Sequence, residues 1–269
     1  MNEFALSPTE RLFEAIIDGS ISGVESACED GADVNAVNSR NETPLYIACK
    51  EGFAHIVEYL LDYPDIDITK GGYDYDRQIV GGIVYTPEDA PKYHVTPLSA
   101  AVSDGNHRIV NMLLNHERCH EYLQPNEDWE TAIARTFNPD GLSPCLATLI
   151  DYAKMTDRKL LNFTIQKVVD YGVDWYPMWY YEDNNPLSEL LKQLPREIQA
   201  LASGYFASNI IRFVKEEEEG ELETYLEKSQ YFCSSESLQP YLLSALHLAR
   251  QKRYIDCEEI LCKALKGNE

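Results

Sequence analysis

His116-Glu117-Arg118-Cys119-His120 sets two imidazoles four residues apart with a thiol beside them, a spacing that brings metal ligands onto one face of a helix. No second ligand pair stands at a matching spacing. The segment also falls at an expected helix end, where histidine suits the negative end of the helix dipole. No metal is assigned here. Asp65, Asp67, Asp74 and Asp76 alternate in a way that would attract calcium, but the central glycine and closing glutamate of a calcium-binding loop are missing. The chain contains no G-x-x-x-x-G-K-[ST], no G-x-S-x-G, no H-E-x-x-H and no dinucleotide fingerprint. Its seven cysteines are odd in number, with no C-x-x-C pair, and several fall at apolar positions of expected helices, where a thiol acts as a small hydrophobe. The residues therefore point to a protein that is not an enzyme and carries no cofactor.

The chemistry left is that of surfaces. With 45 acidic against 23 basic residues, the formal net charge of the 269-residue chain is -22. A field of that sign repels nucleic acid and anionic lipid and steers in a basic protein partner; solubility alone is the other use of such charge. No apolar run reaches the roughly 20 residues of a membrane span. Met1-Asn2-Glu3-Phe4 has no basic or apolar leader character, so the expected setting is a reducing, cytoplasmic one, or a host cytosol for an exported protein.

The elements that would present such a surface repeat. Leu12 and Leu45, Ala15 and Ala48, Gly19 and Gly52, and Val24 and Val57 are each 33 residues apart. Thr43-Pro44-Leu45-Tyr46-Ile47-Ala48 returns as Thr96-Pro97-Leu98-Ser99-Ala100-Ala101, followed by Gly105-Asn106-His107, Ile109-Val110 and Leu113-Leu114. Proline suits a first helical position because its missing N–H has no partner there to lose. The apolar Ile/Val and Leu-Leu positions bury a second helix against its neighbours.

This pattern resembles the ankyrin-repeat family, whose unit is a turn, two antiparallel helices and a Gly-Ala-Asp exit such as Gly31-Ala32-Asp33-Val34-Asn35. The resemblance implies an all-α fold: an ankyrin-repeat solenoid of stacked helix pairs. The period is clear over 10–115 and returns over 206–266, where Ser244-Ala245-Leu246-His247-Leu248-Ala249 aligns with Thr43 to Ala48 at an offset of 201. Gly220 falls on Gly19 at the same offset, and 238–266 reads as a capping repeat. Glu10, Arg11 and Glu14 at one end, and Lys252, Arg253, Glu258 and Glu259 at the other, supply the polar outer residues a cap requires. Between them, about 116–205, the register stays open. Either Ser143-Pro144-Cys145-Leu146-Ala147 opens a fourth unit, with a second helix near 157–170, or Thr131-Ala132-Ile133-Ala134 does. The whole, 1–269, is expected to form a single irregular domain.

Thr43 and Thr96 are 53 residues apart, 20 more than the period. The surplus lies at about 70–93, a tyrosine-rich insertion in which Ile79-Val80 and Ile83-Val84 flank Gly81-Gly82 as a small hairpin. Insertions in repeat proteins map to loops, often on the binding face, and tyrosine supplies large contact area at low entropic cost; folding back over its own repeat is the alternative. A second aromatic group, Trp175-Tyr176-Pro177-Met178-Trp179-Tyr180-Tyr181, serves either as an exposed recognition surface or as filling for an irregular unit. The expected function is a noncatalytic protein-binding scaffold that recognises a basic partner through its finger tips, first-helix face and insertion. The residues expected to touch the partner are Asn35, Val37, Asn38, Arg40, Tyr73, Tyr75, Tyr85 and Tyr93; their places follow from the resemblance. An inhibitor or a host-directed bacterial effector would use the same architecture. A further alternative comes from Leu194-Pro195-Arg196-Glu197-Ile198, which is similar to the opening of an F-box and would recruit a ubiquitin ligase; Pro195 is equally explained as the start of a helix.

Overall fold

A computed structural model of the chain describes residues 6–73, 79–80, 83–84, 94–119, 123–138, 141–179, 186–229 and 235–266. They form two compact units, one of 1–138 with 143–160 and one of 139–142 with 161–269. The sequence reads as one domain, whereas the described residues group into these two. Among the described residues no helix is long and apolar enough to cross a membrane.

In the first unit the helices come in pairs: α1 (Pro8–Ile17) with α2 (Ile21–Glu29), α3 (Pro44–Lys50) with α4 (Ala54–Leu61), and α5 (Pro97–Ser103) with α6 (His107–Asn115). Each start is chemically marked. Ser7, Thr43 and Thr96 cap α1, α3 and α5 by accepting a hydrogen bond from the backbone N–H three residues on, and proline occupies the first turn of all three. Ser7 and Glu10 complete a reciprocal capping box. Between α3 and α4 the chain reverses through Gly52 at φ 76°, a conformation that costs glycine nothing.

The pairs then stack in chain order, α1 on α3 on α5, and α2 on α4 on α6. Leu12, Leu45, Val57, Leu60, Ile109 and Val110, the residues that carry the period, lose all their exposure in that stack. Each such side chain contributes about 1.5–3 kcal/mol by leaving water.

The same stacking settles the open register. α7 (Glu127–Ala134) packs on α5 and α8 (Cys145–Thr156) on α6, so these two form the fourth pair. Asn126, not a Thr-Pro, caps α7, and the fully buried Trp129 reaches Tyr152 of α8 with ring centroids 5.8 Å apart. Ser143-Pro144 therefore opens a second helix and not a first. Ser143 receives a 3.3 Å hydrogen bond from the Cys145 N–H and donates its hydroxyl to the Val102 carbonyl of α5.

The second unit contains most of α9 (Arg158–Trp179), then α10 (Pro186–Gln193), α11 (Arg196–Glu216), α12 (Glu219–Ser229), α13 (Ser235–Lys252) and α14 (Ile255–Lys266). α11 packs on α12 and α13 on α14, while α11 also meets α13 and α12 meets α14, the same two-by-two stack. Tyr225 of α12 anchors it, with ring centroids 5.8 Å from Phe206 and 5.2 Å from Phe213, and its hydroxyl accepting from Asn209. Two boundaries differ from the sequence reading. The turn before α12 falls at Glu217, φ 57°, leaving Gly220 inside the helix. Ser244 lies inside α13, its hydroxyl bonded to the Pro240 carbonyl one turn back, because this first helix starts nine residues before Ser244. Both ends also expose apolar side chains among their charges, Ile17 at one and Ile255 at the other.

Candidate functional site

Between α2 and α3 the chain makes a finger whose geometry is written in its polar side chains. Asp33 receives the Asn35 N–H at 2.9 Å, and Asn38 receives the N–H groups of Arg40 and Glu42 at 2.8 and 3.0 Å. The Asn38 N–H donates across the tip to the Glu42 carbonyl, and Asn41 turns the corner at φ 62°, a region asparagine tolerates. Val37, Ser39, Arg40 and Asn41 are left exposed at the tip, and among the described residues the Arg40 guanidinium has no ion-pair partner.

Asn35 and Asn38 are occupied within the chain. The Asn35 amide donates to the Asp65 carbonyl at 2.7 Å and accepts the Asp67 N–H at 2.9 Å, fastening the first finger to the start of the second. Lys70 closes the same join by donating its ammonium to the Asn35 carbonyl at 2.9 Å. The Asn38 amide donates to the Glu42 carboxylate, which itself is buried and faces Lys50 at 3.8 Å. Of the four finger residues expected to meet a partner, Val37 and Arg40 stand open, whereas Asn35 and Asn38 build the finger.

The second finger is where the insertion sits. Asp67 repeats the role of Asp33, receiving the Thr69 hydroxyl and the N–H groups of Thr69 and Lys70 at 2.7, 3.0 and 3.1 Å. Burial pushes its carboxyl up, but those hydrogen bonds and the Lys70 charge outweigh burial and hold it below the ordinary aspartate value. Thr43 ties this finger to the first, its hydroxyl donating to the Lys70 carbonyl and its N–H to the Gly71 carbonyl.

From there β1 (Gly72–Tyr73) pairs antiparallel with β4 (His94–Val95), Gly72 opposite Val95 and Tyr73 opposite His94. This two-residue ladder is the foot of the insertion. Gly72 is required at it, since a Cβ there would lie 2.8 Å from Tyr46 Cε1 and 3.0 Å from Glu42 Cγ. Further out, β2 (Ile79–Val80) and β3 (Ile83–Val84) pair antiparallel, as the apolar runs predict, with Ile79 opposite Val84. Tyr75, Tyr85 and Tyr93 lie outside the described residues, as do Asp74 and Asp76, and of Tyr73 only the backbone is described.

The first-helix face corrects an expectation. Pro44–Cys49 of α3 and Pro97–Val102 of α5 are buried throughout, with the foot of the insertion lying over Tyr46. Among the described residues of these two pairs the open side chains lie on the first finger and on the second helices, at His55, Glu58, His107 and Arg108, and not on the first helices.

His116, one of the two imidazoles four residues apart, is engaged through both ring nitrogens, Nε2 against the Leu61 carbonyl and Nδ1 against the Arg118 N–H, each at 3.3 Å. His120 lies outside the described residues. Burial pushes the Cys119 thiol up to about 11, and the wholly buried Cys49 thiol rises further. Leu194-Pro195 forms the turn between α10 and α11, stapled by the Gln199 amide donating to the Lys192 and Leu194 carbonyls; Ile198 is buried and Pro195 exposed. The side chains of 175–181 lie outside the description, although the helix α9 runs to Trp179.

The sequence did not single out Glu42 or Lys70, and it marked Asp67 only as part of an acidic alternation. Asp67 was the accessible one, lying 34 residues after Asp33 and two before a hydrogen-bonding residue, as Asp33 does.

Stacked helix pairs with projecting fingers define a repeat protein that offers a row of tips. Residues 12–122 match the family model of ankyrin repeats, in three copies, and this part of the chain belongs to the ankyrin-repeat family. The chain is also similar to protein phosphatase 1 regulatory subunit 27 of Homo sapiens, 31% identical over 70 residues, which is 26% of this chain and 46% of that protein. It thus spans less than half the length of that relative.

Proposed function

We propose that the chain is a noncatalytic protein-binding module whose finger row, with the insertion at 70–93 as an elongated second finger, holds a basic protein partner. Ankyrin repeats are protein-interaction modules, and the relative's name, a regulatory subunit, fits a role exerted by binding. The observation that carries the reading is the foot of the insertion. The β1–β4 ladder, with Thr43 donating to the carbonyls of Lys70 and Gly71, ties the foot of the insertion to the base of the finger that carries Val37 and Arg40. A net charge of -22 favours a basic partner and raises its rate of encounter. The partner surface consists of Val37 and Arg40 on the first finger and Tyr73, Tyr75, Tyr85 and Tyr93 on the second. The module works in a reducing compartment, the cytoplasm, and does not bind nucleic acid.

The test is affinity capture from lysate with mass spectrometry. Wild type is compared with a variant in which 74–93 is replaced by an Asn-Gly turn joining β1 to β4, a connection suited to a two-stranded ladder. Helical content by circular dichroism should be retained, while capture of the wild type's basic partners should fall at least about tenfold, the loss of roughly 1.4 kcal/mol. Equal capture by the two proteins would remove the insertion from the site.

A further inference from the structure

The Glu42 carboxylate lies at the foot of the insertion with one oxygen held and the other not. Its side chain is 9% exposed, and Oε2 accepts the Asn38 amide at 2.9 Å. Oε1 faces the Lys50 ammonium at 3.8 Å, an ion pair too long to be a hydrogen bond. The same ammonium stands over the Tyr46 ring, 6.0 Å from its centroid, at the outer limit of a cation–π contact. A nine-tenths buried carboxylate and an aromatic face thus converge on one cation that neither holds closely. A carboxylate taken out of water needs charge-assisted hydrogen bonds to offset the loss, and among the described residues Oε1 accepts none. Lys50 is not fixed in place, since its side chain is 39% exposed and its flexible stem can carry the ammonium into water. Doing so leaves Oε1 and the Tyr46 ring facing the space the ammonium has vacated.

The repeat does not call for this cluster. At the offset of 33, Glu42, Tyr46 and Lys50 answer to Thr9, Phe13 and Ile17; at the offset of 53 they answer to Val95, Ser99 and Ser103. The neighbouring pairs are therefore built without a carboxylate or a cation at these positions. The second pair alone of the three has them, and it is the pair that the insertion follows. Asn38 of the first finger holds the carboxylate on one side, and on the other a Cβ at Gly72, at the insertion's foot, would lie 3.0 Å from Glu42 Cγ. The cluster sits where the two proposed contact surfaces meet.

We infer that Glu42 and Tyr46 form a subsite for an arginine side chain of the basic partner, and that Lys50 keeps the place until that arginine displaces it. The inference rests on the binding role proposed above. Charge selects the occupant, because the site already draws in the chain's own cation. Shape selects arginine: its planar fork offers N–H donors to Oε1 while its flat face lies on an aromatic ring, two contacts that a point-like ammonium makes less well at once. A guanidinium is also the more weakly hydrated cation, so it enters a partly buried site at lower cost.

The probe is acetyl-arginine-amide, titrated at millimolar concentration into the full-length protein and followed by NMR at the Asn38 side-chain amide and the Tyr46 ring. Both signals should move together and saturate. Acetyl-citrulline-amide, a neutral analogue of the same shape, should bind about tenfold more weakly or worse, having lost the charge-assisted hydrogen bond. Lys50→Met removes the internal cation and should tighten the arginine probe about two- to fivefold, the worth of a partly exposed ion pair. A lysine that serves only the fold gives no such gain. Lys50→Met combined with Glu42→Gln restores the wild-type net charge and should abolish the response, which separates the subsite from the general attraction of a cation to an acidic chain. Equal responses to the two amides, a response kept in the double variant, or no gain in Lys50→Met would each overturn the inference. Should the double variant fail to fold, the comparison of arginine with citrulline on the wild-type protein decides. None of these results bears on capture through the insertion: loss of partners on replacing 74–93, together with silence at Asn38 and Tyr46, would leave the finger-row reading standing and the subsite struck out.

Discussion

Asn35→Ala removes the two hydrogen bonds through which the Asn35 side chain fastens the first finger to the second, the 2.7 Å bond to the Asp65 carbonyl and the 2.9 Å bond from the Asp67 N–H. A protein hydrogen bond contributes about 0.5–1.5 kcal/mol net, so the pair is worth about 1–3 kcal/mol. Asp65 is exposed and water replaces the lost donor there, which places the cost in the lower half, about 1–2 kcal/mol. The direct readout is hydrogen exchange at the Asp67 amide, which Asn35 Oδ1 protects in the wild type. Local opening easier by that amount speeds exchange about 5- to 30-fold, at about 1.4 kcal/mol per factor of ten. Asn35→Asp keeps an acceptor for the Asp67 N–H and loses only the donor, so its amide should exchange at an intermediate rate. An Asp67 amide that exchanges at the wild-type rate in Asn35→Ala would refute the assignment of Asn35 to the framework and return it to the partner surface.

Four further outcomes follow from the same geometry. Gly72→Ala should destabilise the first unit by about 1–3 kcal/mol in urea denaturation, because the added methyl overpacks Tyr46 and Glu42 at the foot of the insertion. Asp67 has a depressed folded-state pKa, so its contribution to stability is complete above its unfolded value near 3.8 and lost as pH falls through the lower folded value. Asp67→Asn should therefore be less stable than wild type at neutral pH, with the difference narrowing in acid-unfolding curves below that point. Val37→Ala with Arg40→Ala should leave stability within about 0.5 kcal/mol, since both side chains face water, while capture of partners falls. In native protein the buried thiols of Cys49, Cys119 and Cys145 should react with a disulfide reagent far more slowly than that of the half-exposed Cys262, a difference that denaturant should erase.

What the sequence discloses follows the reach of each interaction. Thr43-Pro44 and Thr96-Pro97 act within one turn, through a side-chain cap and a proline at the first position, so helix starts there are legible. The 20 surplus residues are legible as a break in a period. Ser143-Pro144 and Ser244 mislead because the same local chemistry serves elsewhere, as a hydrogen bond from the Cys145 N–H at the start of a second helix and as a bond within a long first one. Trp129 gave no sign because Asn126 caps its helix without the Thr-Pro-Leu marker, and only packing on α5 shows which slot it fills. At the site, the finger was legible but the use of its residues was not. The groups that engage Asn35 lie 30–35 residues away, at Asp65, Asp67 and Lys70, and the covering of α3 depends on Gly72 being held by Val95. Asn38 is the local exception, since its bonds to Arg40 and Glu42 span two and four residues.

The finger row is tested most directly by a hydrogen-exchange footprint of the chain with its captured partner bound. Slower exchange should appear at 36–41 and 72–95, with the outward side of the second helices, around His55, Glu58 and Arg108, unchanged. Protection confined to those second helices, with the fingers exchanging as in the free protein, would contradict the account.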